Sequence, residues 1–149
     1  MSIVHAYTAQ SFTETDTISF TITIIDPCET TTLNDAVFTP STLSVVNGAT
    51  ATVTFPEVTD TVEVANNIDT LCQQRTYTLL EADGTTPAIF LALTGAAGGP
   101  YTITASPTID SHVGTFNMKL KTVLASYGSN PSSGHITTIQ VVVSAASCD

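Results

Sequence analysis

The stretch Ile18-Ser19-Phe20-Thr21-Ile22-Thr23-Ile24-Ile25-Asp26-Pro27-Cys28 decides how the rest of the chain reads. Its apolar residues fall at 18, 20, 22 and 24, with Ser19, Thr21 and Thr23 between them. That period of two puts every apolar side chain on one face of an extended strand, which no helix would do. Asp26-Pro27 then closes the run, because proline has no N–H to give to a ladder and biases the residue before it. The same alternation recurs at Ala51-Val53-Phe55, Tyr77-Leu79, Tyr101-Ile103-Ala105, Phe116-Met118-Leu120 and Ile139-Val141-Val143. Ala88 to Leu93 is apolar throughout and is expected to be buried on both sides. Asn47-Gly48, Asp83-Gly84, Gly98-Gly99-Pro100 and Gly128-Ser129-Asn130-Pro131 punctuate these runs as turns.

Composition points the same way. At 149 residues the chain is the size of one ordinary domain, and 42% of it is apolar, enough for a sizeable core. Only 11% is charged, and 29 Thr and 13 Ser fill the gap. Threonine is β-branched and suits a strand better than a helix. The expected fold is therefore all-β, an antiparallel two-sheet sandwich with one apolar and one Thr-rich face per strand. A Greek-key barrel is the alternative.

Arg75, Lys119 and Lys121 stand against thirteen acids, a net charge of −10. Three cations cannot neutralise a run of phosphates, so nucleic-acid binding is excluded and an anionic membrane surface is disfavoured. No stretch of eighteen apolar residues offers a membrane-inserted helix. Met1-Ser2-Ile3-Val4-His5 is not followed by the basic and apolar regions of a signal peptide. Two settings stay open, a cytosolic protein or a piece of a longer secreted chain, and scarce Lys with abundant Thr and Ser leans toward the outside of a cell.

The two ends of the sequence resemble each other. An offset of 120 residues sets Tyr7 on Tyr127, Thr17 on Thr137 and Cys28 on Cys148 without a gap. Both segments run as apolar strand end, Tyr, polar loop, Thr-rich apolar strand, Cys, acid. Residues 116–148 read as the last hairpin of a sandwich, so Ile3 to Ile25 reads as the last hairpin of another copy. A lone hairpin is marginal in water and needs a sheet to join. The expected division is 1–25, a terminal strand or hairpin that pairs with a preceding or neighbouring copy, and 26–149, one whole sandwich domain. The competing reading adds the first strand to this chain's own sandwich.

Three cysteines leave one over. If the period is about 120 residues, each unit holds two, and Cys148 stands where Cys28 stands in the next unit. This predicts a Cys28–Cys72 disulfide and leaves Cys148 unpaired or bonded between repeats. The loop it would close, about 45 residues, corresponds to about 4 kcal/mol of stabilisation in the chain-entropy model. Three buried free thiols in a reducing compartment are the alternative. No Cys-x-x-Cys or Cys/His cluster suggests zinc.

ISFTITIIDPCETTTL, Ile18 to Leu33, resembles the junctions of tandem immunoglobulin-like or cadherin-like repeats in very large cell-surface proteins. Gly114-Thr115-Phe116 with the later Gly134 is similar to the last hairpin of such repeats. The resemblance implies a stalk, fibre or adhesin repeat outside the cell. The chain lacks the Asp-x-Asn-Asp-Asn calcium linker of true cadherins, so calcium-stiffened junctions are not implied.

Chemistry-bearing residues are sparse. Glu57, Asp60, Glu63 and Asp69, and Asp26, Glu29 and Asp35 near the junction, lack the Asp-x-Asp-x-Asp-Gly pattern of a calcium loop and read as solvated acids. Asp110-Ser111-His112 holds three triad residue types, but neighbours on a chain cannot point at one another. His5 and His135 lie far apart in sequence, and no Gly-x-Ser-x-Gly elbow exists. Trp is absent and four Tyr are few for stacking on sugars. Ala96-Ala97-Gly98-Gly99-Pro100 has no following Lys and is no phosphate loop. Lys119 and Lys121 sit on a polar strand face, which disfavours an isopeptide crosslink. Asn130 precedes Pro, so it is no glycosylation sequon, whereas Thr30-Thr31-Thr32 and Ser129 to Ser133 are open to O-linked glycan.

The sequence thus points to a protein that is no enzyme and needs no metal or cofactor. The expected role is a structural repeat unit of an extracellular filament or stalk, joined head-to-tail to copies of itself by strand complementation or tandem linkage. Ile18, Phe20, Ile22 and Ile24 form the assembly strand. The alternative is an immunoglobulin-like adhesin domain that binds a surface glycan or protein through its end loops.

Overall fold

The computed structural model describes residues 2–9, 12–66, 72, 74–125 and 134–147, the first two strands as backbone up to residue 16. Cys148 lies outside the described residues. Strand β1 (Ser2–Ala9) and strand β2 (Phe12–Ser19) form an antiparallel hairpin of their own, Ile3 opposite Ile18 and Ala9 opposite Phe12. Neither pairs with any strand of the sandwich.

The sandwich follows. Strands β3 (Thr42–Val46), β4 (Ala51–Phe55), β5 (Arg75–Leu80), β6 (Leu91–Thr94), β7 (Tyr101–Ala105), β8 (Gly114–Leu124) and β9 (His135–Ser144) make two sheets. One has the order β3-β9-β8-β5 and the other β4-β7-β6. An isolated bridge from Thr39 to Thr54 adds one pairing at the β4 edge of the second sheet. One pairing departs from the antiparallel expectation: β3 runs parallel to β9, with Leu43 beside Val141 and Val45 beside Val143. The sequence reading passed over β3, although Leu43 and Val45 alternate with Ser44 and Val46. The run crosses from the edge of one sheet to the edge of the other, so the strand that continues the chain past Thr39 joins the terminal strand in the same direction.

The core lies between the sheets. Phe55, Leu79, Tyr101, Ile103, Met118, Leu120, Ile139 and Val141 are buried in one cluster, while Tyr77 and Phe116 are half-buried against it. Ala88 to Leu93 is not buried on both sides. Ile89 is 74% exposed and Ala92 faces solvent, because β6 is an edge strand with only its inner face covered. Among the described residues the helix content is small: α1 (Thr61–Asn66) and two single 3-10 turns, Pro27–Glu29 and Asp110–His112.

The direction of the last strand fixes where the chain arrives and leaves. At one end Asp35 meets His135 at the start of β9, and Ala36 N–H donates to Thr137 Oγ1 at 3.0 Å. At the other end Ser144 O accepts from Asn47 N–H at 2.8 Å. Ten residues of strand separate these ends by about 30 Å. The chain therefore enters the sandwich at one pole and leaves at the opposite one.

Candidate functional site

Three features gather at or before the pole where the chain arrives. The first is the proposed assembly segment. Strand β2 stops at Ser19, and residues 20–26 belong to no strand, so only Ile18 of the four assembly residues sits in a ladder. The continuous strand expected through Ile24 is thus not formed: the β1–β2 ladder ends with Ser2 opposite Ser19. Ile18, Phe20, Ile22 and Ile24 are all exposed, Ile22 to 61% and Ile24 to 91%, and Ile25 is exposed beside them. No charged side chain interrupts residues 17–25. Each of these side chains would contribute roughly 1.5–3 kcal/mol if an apolar partner covered it.

The second feature is a clamp. Asp26 Oδ1 accepts from Cys28 N–H at 2.9 Å and starts the turn that carries Cys28. Cys28 and Cys72 are joined by a disulfide and both are buried. Two of the acids read from sequence as solvated, Asp60 and Glu63, are not, whereas Asp26, Glu29 and Asp35 are exposed as expected and Asp69 lies outside the described residues. Asp60 is fully buried and Glu63 nearly so, and Arg75 Nη2 reaches both, at 2.7 Å and 2.6 Å. Arg75, the chain's single arginine, is itself buried at the start of β5. Asp60 does a second task. Its Oδ1 accepts from Val62 N–H at 2.8 Å, Glu63 N–H at 2.9 Å and Thr31 Oγ1 at 2.7 Å. Glu63 Oε2 reaches back to Asp60 N–H at 3.4 Å. This reciprocal arrangement is a capping box, which satisfies amide groups that the first turn of α1 leaves without partners. Asp60-Thr61-Val62-Glu63 carried that signal in the sequence, three residues apart, and it also marked the short helix α1 that the Thr-rich composition concealed.

The third feature is an aromatic box beside the clamp. Phe55 stacks on Tyr101 with ring centres 5.3 Å apart, and Tyr77 tilts against Tyr101 at 4.5 Å. Phe38 and Tyr77 meet Phe55 edge-on. Tyr77 Oη accepts from Val58 N–H at 3.0 Å. Burial pushes the Tyr77 hydroxyl well above the usual tyrosine range, against the opposing pull of that hydrogen bond, and burial raises Tyr101 as well. Both phenols stay neutral, so neither serves as a nucleophile or base at ordinary pH. A groove of about 380 Å³ opens here between the edges of β5 and β6, lined by Gln74, Thr76, Tyr77, Leu93, Thr94 and Tyr101 among others. Gly95, at φ +153°, shapes its wall: a Cβ there would lie 2.5 Å from Tyr101 Cδ1.

The remaining sequence motifs do not converge. Asp110 Oδ1 accepts from Asn47 Nδ2 at 3.2 Å, while the His112 ring lies against Phe90 at 4.8 Å, and neither ring nitrogen has a hydrogen-bond partner. These residues form a turn and no relay. His135 Nε2 lies 2.9 Å from Asp35 Oδ1, a solvent-side contact at the start of β9. Lys119 and Lys121 lie on the outer face of β8, as expected from their alternation. Among the described residues, no three His, Cys, Asp or Glu side chains are grouped to hold a metal ion, and no helix is long and apolar enough to cross a membrane.

No protein-family model and no curated protein matches the chain. Solved structures do. Titin domains Z1Z2 in complex with telethonin match at 12% identity and TM-score 0.48, covering 79% of this chain and 49% of that one. Domains 4 and 5 of the S-layer protein SbsC match at 13% identity and TM-score 0.45, covering 97% and 58%. The titin M3 domain matches at 8% identity and TM-score 0.43, covering 78% and 97%. The chain spans about half the length of the first of these structures. The chain's own strand order and its parallel β3–β9 pairing make the fold an immunoglobulin-like β-sandwich.

Proposed function

We propose that the chain is a structural unit of an extracellular filament or stalk, joined head-to-tail to units of its own kind through the segment Ile18 to Ile24. The observation that carries this reading is the exposed, uncharged, alternating face of that segment, placed before a sandwich whose own strands are already paired. The opposite-pole path of the chain supports it, since units connected this way extend in a line. The disulfide and the hydroxyl-rich surface fit a setting outside the cell. A head-to-tail contact gives an open fibre unless it closes into a ring. In this reading Cys148 bonds in a neighbouring unit.

The test is the assembly state of the full chain in sedimentation velocity and negative-stain micrographs, against a variant carrying Ile22→Asp and Ile24→Asp. The wild-type chain assembles as concentration rises, and the variant stays monomeric with an unchanged melting temperature. A wild-type chain that is monomeric throughout, or a variant that assembles equally, rejects the proposal.

The β5–β6 groove supports a second reading, an adhesin domain. Gln74, Thr76 and Thr94 offer neutral hydrogen-bonding groups beside Tyr101. Binding of the monomeric variant to a glycan array, lost on Thr94→Trp, would favour it.

A further inference from the structure

The structure shows which way each residue of β9 points, and this sets the phase of the resemblance between the two ends of the chain. Along β9, Thr137, Ile139, Val141 and Val143 face inward and are buried, while Thr138, Gln140 and Ser144 face out. The ungapped offset of 120 places Phe20 on Gln140 and Ile24 on Ser144, so that Ser19, Thr21 and Thr23 would enter the core. A slip of one residue reverses every side chain of a strand, so that offset cannot describe equivalent strands. An offset of 119 sets Ile18, Phe20, Ile22 and Ile24 on the four inward positions and Thr17, Ser19, Thr21, Thr23 and Ile25 on the outward ones. One extra residue between Ser144 and Cys148 then restores Cys28 to Cys148. The preceding strand agrees: β1 sets Ile3 opposite Ile18, as β8 sets Leu120 opposite Thr137, the inward position that Ile18 matches.

We propose that Thr17 to Ile25 is a second copy of β9, paired with β1 as β9 is with β8, and made to complete the sheet of an equivalent immunoglobulin-like sandwich beside its β3, with Phe20 in the position of Ile139. The partner surface is thereby the β3 edge of a like unit whose own last hairpin has given up its place, since β9 fills that place in the sandwich seen here. Both β9 and the segment are uncharged over these nine positions, as a strand in the middle of a sheet requires. The side chains are larger in the copy, Phe for Ile and Ile for Val, so its own unit has a roomier core at these layers than the sandwich seen here. The proposal rests on the head-to-tail reading and specifies its joint.

Two chimeras of the full chain test it. In the first, residues 136–144 are replaced by the sequence of 17–25. In the second they are replaced by the sequence of 16–24, one residue out of phase. Thermal unfolding followed by near-ultraviolet circular dichroism reads the result. The in-phase chimera keeps a cooperative transition at a melting temperature below that of the wild type, and the out-of-phase chimera shows none. Because Phe in place of Ile139 crowds a filled layer, a third protein keeps Ile139 within the in-phase sequence and melts higher than the first. An out-of-phase chimera at least as stable as the in-phase one, or loss of cooperative unfolding in both in-phase proteins, overturns the proposal. Failure here leaves self-association of the wild-type chain untouched, and absence of self-association leaves the strand equivalence untouched, so the two readings fall separately.

Discussion

The two poles of the sandwich are held by different chemistry. Where the chain arrives, a disulfide, a buried ion cluster, a capping box and a ring of four aromatics lie side by side. Toward the end where it leaves, the polar contacts Asn47 to Asp110 and Thr50 to Ser106 are exposed, and the His112 ring rests on buried Phe90. The first pole holds its partners out of water, where pairing is strong and a missing partner is costly. The second leaves its two side-chain hydrogen bonds in water, where each is worth little. The arriving segment is the one tied down covalently.

The largest expected effect breaks this difference at its centre. Arg75→Met leaves Asp60 and Glu63 buried with no cation, and removing one partner of such a pair costs about 3–5 kcal/mol. Urea unfolding measures it as a lower midpoint with unchanged slope. If Arg75→Met is as stable as wild type, the cluster is not what holds this pole. Asp110→Ala, by contrast, removes an exposed contact and shifts stability by no more than about 0.5 kcal/mol.

The covalent tie comes next. A Cys28→Ser/Cys72→Ser variant loses about 4 kcal/mol, from the closure of a loop with a sequence separation of 44. The same separation gives a mechanical signature in single-molecule pulling. With the bond intact, residues between the two cysteines cannot extend. Reduction lengthens the unfolded unit by about 150 Å, some 3.5 Å per residue. Equal extension before and after reduction would show that the two cysteines are not bonded to each other in solution.

Much of this architecture was legible in the chain. Period-two alternation placed β4, β5, β7, β8 and β9, because each has one covered face and the pattern records it. It placed β6 with the wrong cover, since an apolar run reads alike on an edge and in a centre. β3 was missed because five residues with two inward apolar groups give little signal. The ion cluster was missed for a different reason. Asp60 and Glu63 find Arg75 only across a fold that brings α1 to the start of β5, and no local pattern records a partner at that distance in sequence. Only the capping box was local, and it pointed to a helix in a chain otherwise poor in helix formers. The match between the ends was visible as residue types, but its phase was not. Identical residues favoured an even offset, whereas the faces of β9 require an odd one.

The smallest effect sharpens the contrast from the exposed side. Asp83, in the loop after β5, accepts from Thr86 Oγ1 at 2.6 Å and from the N–H groups of Thr86 and Thr85, both at 2.9 Å. The Thr86 hydroxyl first, then these two amides, hold its carboxyl well below the usual carboxylate range. A carboxyl whose folded value is depressed contributes stability above its unfolded value, and that contribution fades as pH falls through the folded one. From pH 7 to 5 the group is ionised in both states, so Asp83 adds no pH dependence there. Below about pH 4, where an unperturbed Asp takes up its proton, the folded loop resists protonation and the contribution declines. The expected record is an amide chemical shift of Thr86 that is flat down to about pH 4 and moves only below it, with Asp83→Asn abolishing the movement. A Thr86 shift that titrates at the ordinary carboxylate position would show that the loop's hydrogen bonds are not held in water, and that even the exposed half of the molecule is looser than its geometry.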